Sequence, residues 1–289
     1  MICTLCPRRC GAVRTEKEGH GFCGMPAGIR VARAALHMWE EPPISGTNGS
    51  GTVFFSGCTL RCCYCQNGTI SAGGFGKAVT TQRLREIFEA RIAQGAHNIN
   101  LVTPTHFLPW ILPALEPKLS VPVIYNCGGY ETVETLRLLE GKVDIYLPDL
   151  KYADGALAGR LSAAEDYFPV AKEAIREMFR QTGNCVVENG LLKRGVVIRH
   201  LVLPGQLENT RRCIDWVAEN FRPEEVMFSL MSQYTPQEGA EGNLRRHVTR
   251  SEYRAAVAYM ENCGITNGFT QERTAARAEY TPPFDLTGV

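Results

Sequence analysis

Thr52-Val53-Phe54-Phe55-Ser56-Gly57-Cys58-Thr59-Leu60-Arg61-Cys62-Cys63-Tyr64-Cys65-Gln66-Asn67 joins a β-branched and aromatic run to a cysteine-rich loop. The run reads as a short strand, entered through the turn Gly46-Thr47-Asn48-Gly49-Ser50-Gly51. That turn is not read as a phosphate cradle, because neither Lys-Ser/Thr nor a helix follows it. Further along, a helical pattern spans 81–94, with Leu84, Ile87, Phe88 and Ile92 on one face and Gly95 to end it. Ile99–Val102 is the next strand, followed by a proline-interrupted helical stretch at 107–116.

The alternation continues to the end of the chain. Val123-Ile124-Tyr125 precedes a helix carrying Val133, Leu136 and Leu139, closed by Gly141. A strand at 143–147 leads to helices near 156–162 and 169–181, a strand at 196–202 to a helix near 208–220, and a strand at 226–230 to a helix at 251–263. Six short, nearly continuously apolar strands separated by helices are the mark of a parallel sheet covered on both faces. The expected fold class is α/β, a partial (βα)6 barrel of the TIM type. An open two-sided sheet has the same periodicity. Either way, the loops after the strands form the working face. Residues 29–39 fit a strand or a helix. Residues 1–50 are expected to be a small Cys-rich cap and its lead-in, and 51–289 the barrel.

The chain has 289 residues, with 31 basic against 30 acidic side chains and a formal charge of +1, which argues against nucleic acid as a partner. Its 44% hydrophobic content is ample for a packed core. Prolines 104, 109, 113, 117 and 122 break the longest apolar stretches, so no membrane span is expected. The N-terminus shows no basic stretch followed by a long apolar run, so no secretory leader is expected and a cytoplasmic location is. Twelve cysteines are too sparse for a disulfide scaffold, and in a reducing compartment clustered thiols are more readily ligands.

Cys58, Cys62 and Cys65 follow C-x3-C-x2-C on one loop. A structural zinc site and a simple ferredoxin cluster both use four protein ligands. Three cysteines suit a [4Fe–4S] cluster with one iron left open. Cys63 is read as a neighbour, an alternative register remaining open. With Tyr64 in the aromatic slot, the loop resembles the C-x3-C-x-aromatic-C signature of radical S-adenosylmethionine enzymes. The resemblance implies that the open iron binds the amino and carboxylate groups of S-adenosylmethionine. It further implies that an electron from the cluster breaks the sulfonium C–S bond, and that a 5′-deoxyadenosyl radical then abstracts hydrogen.

Trp39-Glu40-Glu41-Pro42-Pro43-Ile44-Ser45-Gly46, Gly51 to Cys58, Asn98 to His106 and Gln233-Tyr234 resemble the PflX-like group, homologues of pyruvate formate-lyase activating enzyme. Many radical S-adenosylmethionine enzymes carry a Gly-Gly-Glu-Pro-like segment after the second strand, where it binds the cofactor's amino group. Here Thr103-Pro104-Thr105-His106 stands instead, leaving the Thr103 and Thr105 hydroxyls or exposed carbonyls as acceptors and no carboxylate. His106 reads as a proton donor or, more often for a lone histidine, a structural residue. Asn126, before Gly128-Gly129, has an amide suited to a ribose or carboxylate, and the resemblance favours cofactor binding. Asp149 and Lys151 alternate at the end of the fourth strand and can both face the mouth. They resemble the Asp-Leu-Lys of activating enzymes. Arg199, before Val202-Leu203-Pro204-Gly205, is a candidate partner for the methionyl carboxylate. Gln233 and Tyr234 follow the sixth strand as candidate cofactor or substrate contacts.

Cys3, Cys6, Cys10 and Cys23 form C-x2-C-x3-C-x12-C in an otherwise coreless segment. Ligation of a second metal, zinc or iron–sulfur, would supply the folding free energy that so small a core lacks. The expected activity is therefore that of a radical S-adenosylmethionine oxidoreductase resembling the activators of glycyl-radical enzymes. Its expected partners are a reduced flavodoxin or ferredoxin-type electron donor and a glycyl-radical enzyme or peptide substrate. The alternatives are radical modification of a peptide or small molecule, and a non-catalytic iron–sulfur electron carrier.

Overall fold

The computed structural model describes residues 2–271 and 282–289. The elements run in the order β1 (Ile29–His37), α1 (Pro42–Ser45), β2 (Ser50–Phe55), α2 (Gly68–Ser71), β3 (Lys77–Val79), α3 (Thr81–Ala93), β4 (Ile99–Val102), α4 (Leu108–Ile111), β5 (Val123–Cys127), α5 (Val133–Arg137), β6 (Ile145–Pro148), α6 (Gly155–Ser162), α7 (Tyr167–Thr182), β7 (Val186–Glu188), β8 (Leu191–Leu201), α8 (Leu207–Asn220), β9 (Met227–Met231), α9 (Arg250–Asn262) and β10 (Gly268–Thr270). The six expected strands are β2, β4, β5, β6, β8 and β9. All pair in parallel, and β10 adds to β9 in the same sense.

The sheet order is β10-β9-β8-β6-β5-β4-β2-β1-β3, with β7 paired to β8. Along the parallel part the order never reverses. A doubly wound sheet reverses once, which sends its helices to both faces. A single direction with right-handed crossovers sends them all to one face, and the sheet curls towards a barrel. The fold is a partial TIM barrel. Residues 29–37 resolve as a strand, β1, antiparallel to both β2 and β3. The last residues lie along it: Ala34 N–H donates to Thr287 O, and Leu286 N–H to Ala32 O.

Side-chain alternation separates the two faces of the barrel. Tyr125 of β5, Tyr146 of β6, Val196 and Ile198 of β8 and Phe228 of β9 pack in one core with Leu84 and Phe88 of α3, Ala171 of α7 and Ile214 of α8. Their sequence neighbours Ile124, Ile145, Leu147, Val197 and Met227 form a second core inside the barrel, plugged by Ile44 of α1. Each such aliphatic side chain contributes about 1.5–3 kcal/mol on full burial. Followed to the strand ends, the inward set becomes Asn126, Asp149, Arg199 and Met231. The periodicity that builds the inner core thus also delivers polar groups to its mouth. No helix among the described residues is long and apolar enough to cross a membrane.

Candidate cofactor site

A cavity of about 230 Å³ opens at the C-terminal ends of the parallel strands. Phe54, Val102, Asn126, Asp149, Lys151, Arg199, Leu201 and Met231 line it from the sheet, and Cys62, Tyr64, Cys65, Gln66 and Asn67 from the cysteine loop. His37, Trp39, Glu40 and Gln233 complete its wall. It adjoins a second space of about 440 Å³ that shares Trp39, Glu40, Arg199, Met231 and Gln233.

The cysteine loop is fixed from several sides. Leu60 N–H donates to Cys58 Sγ at 3.3 Å and the Ser162 hydroxyl to Cys62 Sγ at 2.9 Å. The Tyr152 hydroxyl lies 2.7 Å from Ser162 Oγ and donates to the Tyr64 hydroxyl at 2.8 Å, tying the loop to the end of α6. Gln66 Nε2 donates to Gln233 O at 2.9 Å, closing the loop onto the segment after β9. Cys63 is exposed and lines a different cavity with Arg160 and Gln206, so it faces away from its neighbours.

Burial pushes the Cys58 thiol up to about 12, with Cys62 and Cys65 adding to the rise. Cys65 is raised by burial and by Cys62, while the nearby Lys151 ammonium opposes. Among the described residues no group of three or more Cys, His, Asp and Glu side chains is arranged to hold a single metal ion. A cubane spreads its thiolates wider than one ion does. The donor set of three soft thiols on one anchored loop, with hydrogen bonds already aimed at two sulfurs, fits an iron–sulfur cluster.

Beside the thiols lies a buried ionic network. Asp149 Oδ2 pairs with Lys151 Nζ at 2.5 Å and Oδ1 with Arg199 Nε at 3.0 Å. Arg199 also donates to Asn126 Oδ1 at 2.7 Å and to Glu40 Oε2 at 3.3 Å. Burial alone would raise the Asp149 carboxyl, but Lys151 and Arg199 outweigh it and hold it below its ordinary value. Burial works against the Lys151 charge, yet Asp149 and the Cys62 thiol outweigh it and hold its pKa up. Behind the network, His200 bonds Leu150 O at 2.6 Å and Thr210 Oγ1 at 3.0 Å. Burial brings its pKa down to about 4.

Of the residues expected from sequence, Cys62, Tyr64, Cys65, Asn126, Asp149, Lys151, Arg199 and Gln233 meet at this cavity, and Cys58 anchors the same loop. Thr103 and Thr105 do not line it. Thr105 is buried, its hydroxyl donating to Glu131 at 2.8 Å and accepting from Tyr125 at 3.0 Å. Thr103 sits at φ 58, its N–H bonded to Asn126 O. That is a strained conformation for a β-branched residue, at the end of β4. His106 is buried with a ring nitrogen 2.7 Å from Ser56 O and its pKa lowered by burial to about 4, so it is structural. Tyr234 packs its ring on Tyr64 and donates to Leu244 O. Gly129, at φ +76, lets the chain pass Asp149 O, where a Cβ would stand 2.1 Å away, so packing accounts for it.

Glu40 is the residue that sequence reading missed. It belongs to the quoted Trp39-Glu40-Glu41 stretch, but only the crossing of the mouth between β1 and α1 brings it beside Asn126 and Arg199.

The N-terminal cysteines are differently placed. Cys3 and Cys6 are buried, Cys23 is half-buried and Cys10 exposed. Among the described residues, their segment has only isolated bridges, Ile2 to Val13 and Arg14 to Gly19. Arg8 clamps it to the barrel, donating to Thr59 O at 2.8 Å, to Ser162 O at 2.6 Å and to Ala163 O. Arg14 donates to Met25 O and Pro26 O. Burial above all, with Glu131, Cys3 and Cys23 adding, raises Cys6 to about 12.

No family model matches the chain. It is 30% identical over 278 residues to the uncharacterized protein MJ0674 of Methanocaldococcus jannaschii, covering 91% of this chain and 75% of that protein. Among solved structures it is similar to Streptococcus suis SuiB bound to S-adenosylmethionine, with TM-score 0.53 and 15% identity over 74% of this chain and 48% of that one. It is also similar to methylornithine synthase PylB, with TM-score 0.50 and 15% identity over 74% of this chain and 68% of that one. The third is the FeFe-hydrogenase maturase HydG of Carboxydothermus hydrogenoformans, with TM-score 0.50 and 12% identity over 80% and 56%. The chain spans about half the length of SuiB. The chain has the fold of these structures, and it belongs to the family of the Methanocaldococcus jannaschii protein MJ0674.

Proposed function

We propose that this chain is a radical S-adenosylmethionine enzyme whose Cys58, Cys62 and Cys65 hold a [4Fe–4S] cluster. The observation that carries the reading is convergence: two of those thiols share one cavity with Asn126, Asp149, Lys151, Arg199 and Gln233, which come from the ends of four strands, β5, β6, β8 and β9, or the loops after them. When bound and reduced, the cluster supplies one electron to the sulfonium, breaking its C–S bond to give methionine and a 5′-deoxyadenosyl radical. The protein's share is to position and to exclude water. Lys151, near both cavity thiols, has ammonium hydrogens beyond the one given to Asp149 and would meet the cofactor's carboxylate. Arg199 gives three of its five N–H donors to Asp149, Glu40 and Asn126, so this side chain would act first as a strut that fixes those three.

The second space beside the cavity would take the hydrogen donor. Trp39, 62% exposed, stands where the two spaces join, a rim suited to a protein loop such as that of a glycyl-radical enzyme. A low-potential flavodoxin or ferredoxin-type donor would supply the electron, in the cytoplasm. A second metal centre at Cys3, Cys6, Cys10 and Cys23 would need those side chains to close up, since among the described residues no three such groups are arranged to hold an ion. Anaerobic reconstitution with iron and sulfide, followed by reduction with dithionite in the presence of S-adenosylmethionine, tests the reading. The wild type should form 5′-deoxyadenosine and the Cys58→Ala, Cys62→Ala and Cys65→Ala variants none. Formation by any of those variants would refute the ligand set. A wild type that carries iron but yields no nucleoside would favour an electron carrier.

A further inference from the structure

Among the described residues the cavity holds two carboxylates, and the structure treats them differently. Both Asp149 oxygens are taken by protein cations, Oδ1 by Arg199 at 3.0 Å and Oδ2 by Lys151 at 2.5 Å. Glu40 has weaker partners. Its Oε1 accepts from Asn100 Nδ2 at 2.9 Å and, at the limit of a hydrogen bond, from Asn126 Nδ2 at 3.5 Å. Among the described residues its Oε2 meets only Arg199, at 3.3 Å. Burial raises the Glu40 carboxyl, with Arg199 and the Asn100 hydrogen bond opposing the rise; in its ionised form it has about four acceptor positions, so Glu40 keeps capacity on a side chain that is 10% exposed and lines the cavity. Its place is set by the chain, since Glu40 N–H donates to Ser45 Oγ at 3.0 Å, across the first turn of α1.

On the cofactor reading proposed above, the ligand carries an ammonium at its amino-acid end. Buried beside Arg199 and Lys151, that group needs an acceptor of opposite charge. The loop after β4 offers none: Thr105 is committed to Glu131, and neither it nor Thr103 lines the cavity. We propose that Glu40, reaching the mouth from the segment before α1, receives the ammonium of the bound cofactor and makes the site selective for the amino-bearing ligand. Glu40 is then a binding residue and Arg199 the positioning residue that orients it.

The test compares two probes on the reconstituted full-length protein: S-adenosylmethionine, and the analogue in which a hydroxyl replaces its ammonium. Equilibrium binding of each is measured for the wild type, Glu40→Gln and Glu40→Asp. The wild type should prefer S-adenosylmethionine at least tenfold. In Glu40→Gln the preference should fall to within about twofold, through loss of the amino-bearing ligand and not of the analogue. Glu40→Asp should restore part of it. If Glu40→Gln weakens both probes equally, or leaves the wild-type ratio, Glu40 only supports Arg199 and the proposal is overturned. A wild type that binds neither probe would overturn the cofactor reading itself, a separate failure.

Discussion

Two groups of cysteines sit a few residues from one another in space and are held in different ways. Cys58, Cys62 and Cys65 ride on a loop anchored by a barrel strand, by Ser162 and Tyr152 of the α6 region and by Gln66 to Gln233. A polar cavity built by other strand ends lies against them. Cys3, Cys6, Cys10 and Cys23 ride on a segment with almost no regular structure, fastened to the barrel by Arg8 to Thr59 O and Ser162 O, by Arg14 to His106 O and by Thr135 to Leu5 O. The two regions touch: at Gly57, beside Cys58, an added Cβ would stand 3.0 Å from Cys23 O and 3.1 Å from the His106 ring. The first group is positioned by a scaffold that folds for its own reasons. The second buries Cys3, Cys6 and Met25 but has almost no regular structure of its own and leans on that scaffold.

The largest effect should separate the two groups outright. Cys62→Ala should abolish 5′-deoxyadenosine formation while moving the thermal midpoint by under about 3 °C, since one half-buried thiol carries little packing. The paired substitution Cys3→Ala with Cys6→Ala should do the reverse, lowering bound metal and loosening residues 2–28 to proteolysis while nucleoside formation persists. Loss of cleavage in the paired variant, with metal at Cys58, Cys62 and Cys65 intact, would make the two groups one functional unit.

Next in size is the ionic network. Asp149→Asn strands Lys151 in a buried site, leaves Arg199 with the longer Glu40 pair, and should cost about 3–5 kcal/mol in a denaturant titration. Glu89→Gln, which breaks a surface pair with Arg85, should cost under about 1 kcal/mol. Equal costs would mean that the network is solvated and not preorganised. Arg8→Ala should come lower, at about 1–3 kcal/mol for the carbonyls it leaves unpaired, and should speed cleavage of the N-terminal segment before any change in the barrel.

The smallest effect concerns pH. His200, buried between Leu150 and Thr210, has a folded pKa of about 4, below its unfolded value near 6.5. Between those values the unfolded chain binds a proton that the folded one refuses. Its share of stability is therefore present above about pH 6.5 and lost as pH falls towards 4. The difference in unfolding free energy between wild type and His200→Asn should narrow over that window. A constant difference from pH 7 to 4 would count against a neutral, buried imidazole behind Asp149.

Much of this was legible in the sequence, for a physical reason. The barrel strands are buried on both faces, so Ile99–Val102 or Val196–Ile198 stands out as an apolar run wherever it pairs. The same two-residue period brings Asn126, Asp149 and Arg199 to one side. Strands β3, β7 and β10 were not legible. Each has three residues, half-buried at most, and no apolar run, and each exists because a neighbour offers a ladder. Glu40 escaped because no periodicity places a coil residue: its position depends on α1 plugging the barrel with Ile44. Thr103 and Thr105 were expected at the mouth from their place after β4. Glu131 claims the second, and its carboxyl, raised by burial to about 8, was invisible in the motif.

The central claim is that three cysteines hold a cluster with one iron left for the ligand in the adjoining cavity. Mössbauer spectroscopy of protein reconstituted with iron-57, read as the difference between the wild type and Cys62→Ala, addresses it directly. The account predicts a four-iron component in which one site shifts on addition of S-adenosylmethionine and three do not. Four equivalent sites that ignore the addition would contradict it.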